Sequence, residues 1–276
     1  MIRSSSAYRI CTHRPNFNVE AHDAIYGVVK KKADLAGVLL NSETIDSLCE
    51  TKGMMTDAKK LRTSFENKFK AENDPLPDGA KTYLEERWLE LNQNLHDFSL
   101  SGDSFAVNKG NFSEDAAIEV LEECIGISLK KNEERITRNF MSGECDLIYG
   151  KVIRDIKVPQ NWSSFRSKTG IPLVYHWQLI AYCILYEANQ AYLDYILMPT
   201  PHELIPKFVR GFSGEDCDKF DETEAAIMSL TLAQRVKTYQ VQSDIVADIT
   251  FLESRLVKAE EYYETLTYEK CMKMIS

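Results

Sequence analysis

The chain has 276 residues, of which 44% are hydrophobic and 10% aromatic, which is enough for a folded core and too apolar for a disordered chain. Its net charge of −9 argues against indiscriminate binding to polyanions, and no run approaches the roughly 18 apolar residues of a membrane span. Seven dispersed cysteines without a C-x-x-C pair argue against a zinc or iron–sulfur site and are typical of reduced thiols. Because the N-terminus also lacks the apolar segment of a secretory signal, we expect a cytoplasmic protein.

The first hundred residues are predicted to be mostly helical. Residues 1–16 begin as a short helix or strand in which Ser4-Ser5-Ser6 supplies three hydroxyls. A helical pattern covers 19–70, a Pro- and Gly-containing loop covers 72–79, and a further helix covers about 80–98.

A loop over 99–110 is expected to lead into a helix that ends at Gly126. Ser113 is the predicted N-cap, which places Glu114 in the first turn. The buried stripe of this helix is predicted to comprise Ala117, Ile118, Leu121 and Ile125.

After a strand at about 134–140, two short strands are predicted to join at Tyr149-Gly150. Asp146 lies on the first of these strands, and Asp155-Ile156-Lys157 lies on the second. Residues two apart on a strand point to the same face, so Asp155 and Lys157 are expected to project together while Ile156 is buried behind them.

Downstream, a long loop is predicted over 159–172. The helix that follows, from 173 to about 189, carries Tyr175, Gln178 and Tyr182 on one face. An apolar strand over 191–199 is expected beside the earlier strands.

The remainder, 200–276, is predicted to be helical. One helix is expected to bury Ile245, Ile249, Leu252 and Leu256 along a stripe that Val246 and Val257 widen.

The convergence of two carboxylates and one ammonium at the end of a strand suggests a hard-metal site. Asp146 and Asp155 are the expected ligands of one or two Mg²⁺ ions, with the Ile156 carbonyl as a further oxygen ligand. Such a metal activates water and stabilises the leaving oxygen of a phosphodiester, while Lys157 orients or deprotonates the water or stabilises the phosphate. Taken singly, Asp146 also fits a turn residue and Asp155–Lys157 a surface ion pair.

The segment around these residues is basic, although the whole chain is acidic. Between Lys130 and Lys168 there are nine Lys and Arg residues against five acids. This distribution suggests a groove that focuses a nucleic-acid backbone, although an ordinary solvated surface remains the alternative.

The order of these residues resembles that of the PD-(D/E)xK nuclease superfamily, and more closely that of the lambda-type (YqaJ-like) phage exonucleases. The resemblance rests on five segments, in chain order IRSSSAYRICT, KGNFSEDAAIEVLEECIG, SGECDLI, IRDIKVP and WSSF followed by YHWQLIAY. It covers roughly 1–16 and 100–200. It implies that the catalytic residues are Glu114, Asp146, Asp155, Lys157 and Gln178, with Glu114 as a further metal ligand.

The resemblance also implies an α/β fold with a restriction-endonuclease-like core, in which a central mixed sheet is flanked by helices. Helical additions would extend both ends of a single nuclease domain over 1–276, made up of a helical part (1–99), a catalytic core (100–200) and a helical part (201–276). The residues expected to contact DNA are Arg3, Ser5, Ser6, Trp162, Ser163, Arg166, Lys168 and Tyr182.

The activity that the resemblance implies is degradation of one strand of linear duplex DNA from its 5′ end, with Mg²⁺ or, as a substitute, Mn²⁺. The implied partners are double-stranded DNA ends, a single-strand annealing protein and further copies of the chain in a ring-shaped trimer, in phage recombination within a bacterial cytoplasm. Two alternatives stay open, namely a structure- or site-specific endonuclease on the same core and a catalytically silent DNA-binding subunit.

Overall fold

The computed structural model describes residues 1–11, 19–35, 37, 59–63, 76–95, 105–205 and 214–273. The chain forms two compact units, one from Met1–Cys11 with Asp78–Ser276 and the other from Thr12–Pro77. Most of the predicted helix beyond Leu35, the predicted loop residues 72–75 and 99–104, and Cys49 lie outside the described residues. In the part that is described, no helix is both long and apolar enough to cross a membrane.

In the unit formed by Thr12–Pro77, helix α2 spans Val19–Leu35. It buries Val29 and Ala33, which are four residues apart and therefore lie on one face of the helix. Residues 59–63 are also helical, and Leu61 among them is buried.

Within its described residues, the larger unit contains seven strands and nine helices. The strands are β1 Ile2–Arg3, β2 Ile136–Arg138, β3 Met141–Gly143, β4 Leu147–Tyr149, β5 Val152–Lys157, β6 Gln190–Ile196 and β7 Val236–Gln240. The helices are α1 Ala7–Cys11, α3 Asp78–Gln93, α4 Phe105–Ile125, α5 Trp162–Arg166, α6 Leu173–Tyr186, α7 Gly214–Met228, α8 Leu232–Arg235, α9 Ile245–Glu264 and α10 Tyr268–Cys271. Short 3-10 helices cover Ser4–Ser6 and His202–Leu204.

The strands form two mixed sheets. The larger sheet has the order β4-β5-β6-β7, with β5 and β6 parallel and the outer pairs antiparallel. The smaller sheet has the order β1-β3-β2. Helices cover these sheets, which confirms the predicted mixed α/β class.

The predicted hairpin that carries the acidic residues is confirmed. Leu147 pairs with Arg154 and Tyr149 with Val152, so the turn consists of Gly150 and Lys151. Gly150 adopts a φ of 59°, a conformation that favours glycine in a tight hairpin turn.

Helix α4 covers one face of the larger sheet. Its predicted stripe is confirmed for Ala117, Ile118 and Leu121, which pack with Ile156 and Ile196. The predicted start of this helix is wrong, because α4 begins at Phe105 rather than after Ser113. The sequence 105–110 reads as a loop because it contains Asn and Gly, but tertiary contacts override these weak propensities.

Helix α6 contacts β5 and β6, and α9 in turn packs on α6, α1 and α3. Leu252 and Leu256 of the predicted α9 stripe are buried, whereas Val246 and Val257 are 72% and 55% exposed, so the prediction that they widen the stripe is wrong. The buried contacts of α9 are partly polar instead, since Arg255 donates from Nε to the Ile10 carbonyl at 3.0 Å.

Three other boundaries differ from the prediction. The strand expected at 134–140 ends at Arg138, because Asn139 and Phe140 both have positive φ and form a tight turn. The loop expected at 159–172 contains helix α5. The 200–276 segment is not all helical, because β7 pairs with β6.

A buried ion pair ties β5 to β6. Arg154 donates from Nε and Nη2 to the two carboxylate oxygens of Asp194 at 2.8 and 2.7 Å, and Thr238 of β7 donates to the same carboxylate at 2.6 Å. Arg154, counted with the basic segment in the sequence, is therefore a buried component of the sheet and not a residue of its surface.

We expect Arg154→Met to lower the free energy of unfolding by about 3–5 kcal/mol, because it leaves Asp194 buried without its partner. Adding Asp194→Leu to this variant should recover part of the loss, since it removes the stranded charge. Urea denaturation measures both effects. Arg138→Met, which breaks the exposed pair with Glu187, is the matched control and should stay close to wild type. A loss for Arg154→Met as small as that of the control would contradict this role.

Candidate active site

A cavity of about 500 Å³ lies beside the end of β5. The predicted site residues and their neighbours that line it are Glu114, Asp146, Ile156, Lys157, Ser164, Lys168 and Tyr175. The cavity therefore brings together residues from α4, the β4–β5 hairpin, the 159–172 segment and α6.

Asp155 and Lys157 project to the same face of β5, as predicted. The Asp155 carboxylate is 1% exposed, and its Oδ2 lies 2.6 Å from the Lys157 ammonium. Apart from this ion pair, neither oxygen of Asp155 accepts a hydrogen bond of normal geometry from the described residues. Ile156 is buried on the opposite face against α4, also as predicted.

Asp146 lies in the bend immediately before β4 rather than on the strand itself. Its Oδ2 accepts a hydrogen bond from the Ile156 backbone N–H at 2.6 Å, which holds the carboxylate beside β5. Burial and repulsion from Asp155 raise the pKa of Asp146 well above its ordinary value, although Lys157 and the Ile156 N–H oppose this rise. The folded chain thus holds two acidic groups closer together than their charges favour.

Lys157 is the cation that partly compensates these acids. Burial lowers the pKa of Lys157, but the attraction of Asp155 and Asp146 outweighs burial, so the pKa is raised overall. Its ammonium also lies 5.3 Å from the centre of the Tyr175 ring, within the range of a cation–π contact. Lys157 is accordingly protonated at neutral pH.

Glu114 lines the cavity from the third turn of α4 and not from a first turn. Its Oε1 lies 3.3 Å from Lys131 Nζ, and the same ammonium donates to Asp115 at 3.0 Å. The charge of Glu114 contributes to the raised pKa of Asp146, so the two carboxylates share one electrostatic environment. Lys131 was not predicted as part of the site.

The donor set fits a hard divalent cation. Among the described residues, the buried Asp155 carboxylate has the Lys157 ammonium as its only donor, and Asp146 lines the cavity, while carboxylate oxygens are the ligands that Mg²⁺ prefers. In the described residues, only His202, Asp221 and Glu224 bring three potential ligand atoms within 4.8 Å of one another, and this group is on the surface. Asp146 and Asp155 are the residues that could hold such a cation, and Glu114 could act through one of the waters that Mg²⁺ usually retains.

The predicted face of α6 forms a buried hydrogen-bond chain behind the acids. Gln178 donates from Nε2 to the Tyr182 hydroxyl at 2.9 Å, and Ser4 is a further hydrogen-bond partner of that hydroxyl. Burial and the charge of Asp155 raise the pKa of Tyr182, which places the phenol within electrostatic reach of the acids. The catalytic role predicted for Gln178 and the DNA contact predicted for Tyr182 stay predictions.

Of the three N-terminal serines, the structure brings Ser4 to the site, and not Ser5 or Ser6. Ser4 is buried so close to the Gly143 backbone that a Cβ at Gly143 would collide with the Ser4 hydroxyl oxygen. Ser5 is exposed, whereas Ser6 and Arg3 line a second cavity. Arg3 is paired there with Glu90 at 3.1 Å.

The sequence contains a signal that identifies Ser4. Ala7, Ile10 and Cys11 are the buried residues of α1, and Ser4 precedes Ala7 by three positions, which continues the same helical face inward. No comparable pattern marks Lys131, because its role depends on a contact between distant segments.

The four predicted DNA contacts of the 159–172 segment divide into two groups. Lys168 lines the cavity, whereas Trp162, Ser163 and Arg166 are exposed and do not line it. Ser164, which was not predicted, does line it.

We expect Asp146→Asn to raise the free energy of unfolding of the metal-free protein by about 1–2 kcal/mol at pH 8, because it removes a carboxylate charge that the fold disfavours. A group with a raised pKa in the folded state binds its proton more tightly when folded, so wild-type stability is present at low pH and is lost as pH rises. The difference between variant and wild type should therefore be small at pH 4 and grow towards pH 8. Thermal unfolding in EDTA measures it.

The exposed Asp218→Asn is the control and should show no such growth. Added Mg²⁺ should stabilise wild type and not Asp146→Asn, since ligand binding to the folded state raises the unfolding temperature. An Asp146→Asn variant that is less stable than wild type throughout this range would contradict the electrostatic picture.

Comparison with known proteins bears on the fold. Neither a protein-family model nor a curated protein sequence matches the chain. The structure is similar to the crystal structure of a phage-related exonuclease from Haemophilus somnus 129PT, with a TM-score of 0.56 and 23% sequence identity, over 84% of this chain and 96% of that one. It also matches an alkaline exonuclease from Laribacter hongkongensis, with a TM-score of 0.45 and 14% identity over 72% and 88% of the two chains. The chain therefore has the fold of the phage-related exonuclease, which is the fold that the resemblance to the lambda-type PD-(D/E)xK exonucleases predicted.

Proposed function

We propose that the chain is a Mg²⁺-dependent DNA exonuclease that degrades the 5′ strand of linear duplex DNA. The observation that carries this proposal is the buried Asp155 carboxylate, whose only donor among the described residues is the ammonium of Lys157, next to the cavity that Asp146 and Lys157 line. A buried carboxylate is costly for the fold unless a charged partner or a ligand compensates it, and the raised pKa of the neighbouring Asp146 is typical of a functional site.

Asp146 and Asp155 are the residues that would hold Mg²⁺. When bound there, the metal would activate the attacking water, neutralise the scissile phosphate and stabilise the leaving oxygen. The Ile156 N–H fixes the Asp146 carboxylate by its 2.6 Å hydrogen bond, so this ligand is positioned before any cation arrives.

Lys157 acts as a cation and not as a base in this proposal. The two acids raise its pKa, so the ammonium keeps its proton at neutral pH and is available to a phosphate oxygen. The ion pair of Lys157 with Asp155 also keeps a positive charge beside the acids in the absence of substrate.

Strand polarity and biological role rest on the resemblance. In line with it, we infer action at double-stranded DNA ends, a ring-shaped trimer, and a single-strand annealing protein as partner in phage-type recombination. In this proposal the 5′ end of the strand contacts the N-terminal serines and Arg3. Of these residues, Ser4 is a hydrogen-bond partner of Tyr182, whose pKa the charge of Asp155 raises.

Two alternatives make different predictions. An endonuclease on the same core would use the same acids and Lys157, so only the DNA that it cuts distinguishes it. A silent DNA-binding subunit is less consistent with the cavity, because buried carboxylates facing a phosphate weaken binding unless a cation is present.

The test is a digestion of linear duplex DNA carrying either a 5′-phosphate or a 5′-hydroxyl, beside a closed circle, with Mg²⁺ or EDTA. The two strands carry different fluorophores so that polarity is read directly. We expect progressive loss of the 5′-phosphorylated strand of linear DNA only, dependent on Mg²⁺. Lys157→Ala should lower the rate by at least about 100-fold, since it removes a charge next to the reacting phosphate.

Lys151→Ala is the matched control, because Lys151 lies at the opposite end of β5 and should not affect cleavage. Nicking of the closed circle would contradict the exonuclease proposal and favour the endonuclease alternative. If wild type cuts neither DNA under any metal condition, the enzyme proposal fails and the binding subunit takes its place.

A further inference from the structure

The segment from Pro159 to Lys168, called here the cavity loop, is held in place by lysines from two distant elements. At its start, Lys109 of α4 donates to the Gln160 carbonyl at 3.0 Å and to the Met198 carbonyl at 2.8 Å. Lys109 is almost fully buried, and burial lowers its pKa to about 8. Its position explains why α4 begins earlier than its local sequence suggests.

At the other end of the cavity loop, Lys237 of β7 donates to three carbonyls. These belong to Phe165, Arg166 and Lys168, at 3.1, 3.1 and 3.0 Å. All three protons of the ammonium are thereby used on backbone oxygens at the C-terminal end of α5. The same ammonium lies 4.9 Å from the centre of the Phe165 ring. Among the described residues, Lys237 has no ion pair with a carboxylate.

Tyr239 supplies a second donor to the same end of the loop. Its hydroxyl donates to the Lys168 carbonyl at 2.8 Å. Lys237 and Tyr239 are two apart on β7 and therefore point to the same face of the sheet. The Lys168 backbone thus accepts hydrogen bonds from two side chains of one strand.

The sheet register places this contact in line with the catalytic lysine. Lys157 of β5 pairs with Tyr195 of β6, and Tyr195 pairs with Lys237 of β7, so the three side chains lie in one row across the sheet. The spacing of strands puts Lys237 about 10 Å from Lys157 along this row.

The Lys168 side chain leaves this anchored backbone and lines the catalytic cavity. Its ammonium lies 5.5 Å from the centre of the Tyr195 ring, and within the described residues it has no carboxylate partner. A cation that is fixed at a cavity wall and is not neutralised by an acid is suited to a phosphate.

We propose that Lys168 binds a backbone phosphate of the DNA strand in the catalytic cavity, and that Lys237 and Tyr239 are positioning residues that hold Lys168 for this contact. The phosphate is one other than the phosphate that is cleaved, because Lys157 already serves the reacting position. This inference rests on the proposed function for its substrate, but it concerns binding and not cleavage.

The test measures binding of a short labelled DNA duplex in EDTA at several salt concentrations, so that it does not depend on nuclease activity. Each phosphate contact contributes about −0.9 to the slope of log Kobs against log[salt]. We expect Lys168→Met to reduce the magnitude of this slope by about one contact, and Lys237→Met to do the same although Lys237 does not itself touch DNA. The double variant should show no further reduction, because both changes remove one contact.

Lys270→Met is the matched control, since Lys270 also donates to a backbone carbonyl near the end of a helix, that of Thr265 at 2.9 Å, but does not line the cavity. Its slope should equal that of wild type. Tyr239→Phe removes a single hydroxyl and tests the same positioning role if Lys237→Met does not fold. Its slope should lie between those of wild type and Lys168→Met.

An unchanged slope for Lys168→Met would overturn the phosphate contact. An unchanged slope for both Lys237→Met and Tyr239→Phe, with Lys168→Met reduced, would overturn the positioning role. If the variants change the slope as expected but the protein cuts no DNA, this inference stands and the nuclease proposal fails. If the protein cuts DNA but no variant changes the slope, the nuclease proposal stands and this inference fails.

Discussion

The constraint on which the site depends is the placement of two carboxylates, Asp146 and Asp155, beside a single ammonium in a partly closed cavity. Burial and repulsion from Asp155 disfavour the charged form of Asp146, and Lys157 offsets only part of this cost. The sheet maintains the arrangement because Asp155 and Lys157 occupy alternate positions of a strand that is paired on both sides, and because Asp146 is bonded to the backbone of that strand. A cation would relieve this repulsion, so the local instability of the fold and the chemistry proposed for it have the same origin.

Around this centre, long cationic side chains make many of the contacts between segments that are distant in sequence. Lys109 and Lys237 use backbone carbonyls as their partners, while Arg154 uses a buried carboxylate and Arg255 a helix carbonyl. Such contacts join segments that are far apart in sequence. At the cavity they hold Lys168, which has no carboxylate partner among the described residues, so an acidic protein presents a positive charge there.

The parts of the structure that the sequence could predict are those with local periodicity. The β4–β5 hairpin, the shared face of Asp155 and Lys157, and the burial of Ile156 all follow from a period of two. The shared face of Gln178 and Tyr182 follows from helical spacing and is confirmed by their hydrogen bond.

The parts that the sequence could not predict depend on partners far along the chain. The early start of α4 depends on where Lys109 finds its carbonyls, and this moved Glu114 from a helix end to a helix interior. Strand β7 has little apolar alternation because Lys237 and Thr238 are engaged in polar contacts. Val246 and Val257 belonged to an apolar pattern, yet α9 turned a partly polar face inward. The choice among Ser4, Ser5 and Ser6 was predictable in principle from the helical face of α1, although three identical residues in a row do not differ in residue type.

The most direct test of the central claim is anomalous diffraction from crystals of the protein soaked in Mn²⁺. The account predicts an anomalous peak bonded to the carboxylates of Asp146 and Asp155, and its absence in crystals of Asp155→Asn. A fully occupied peak at the surface group of His202, Asp221 and Glu224, with none at Asp146 and Asp155 in wild type, would contradict it.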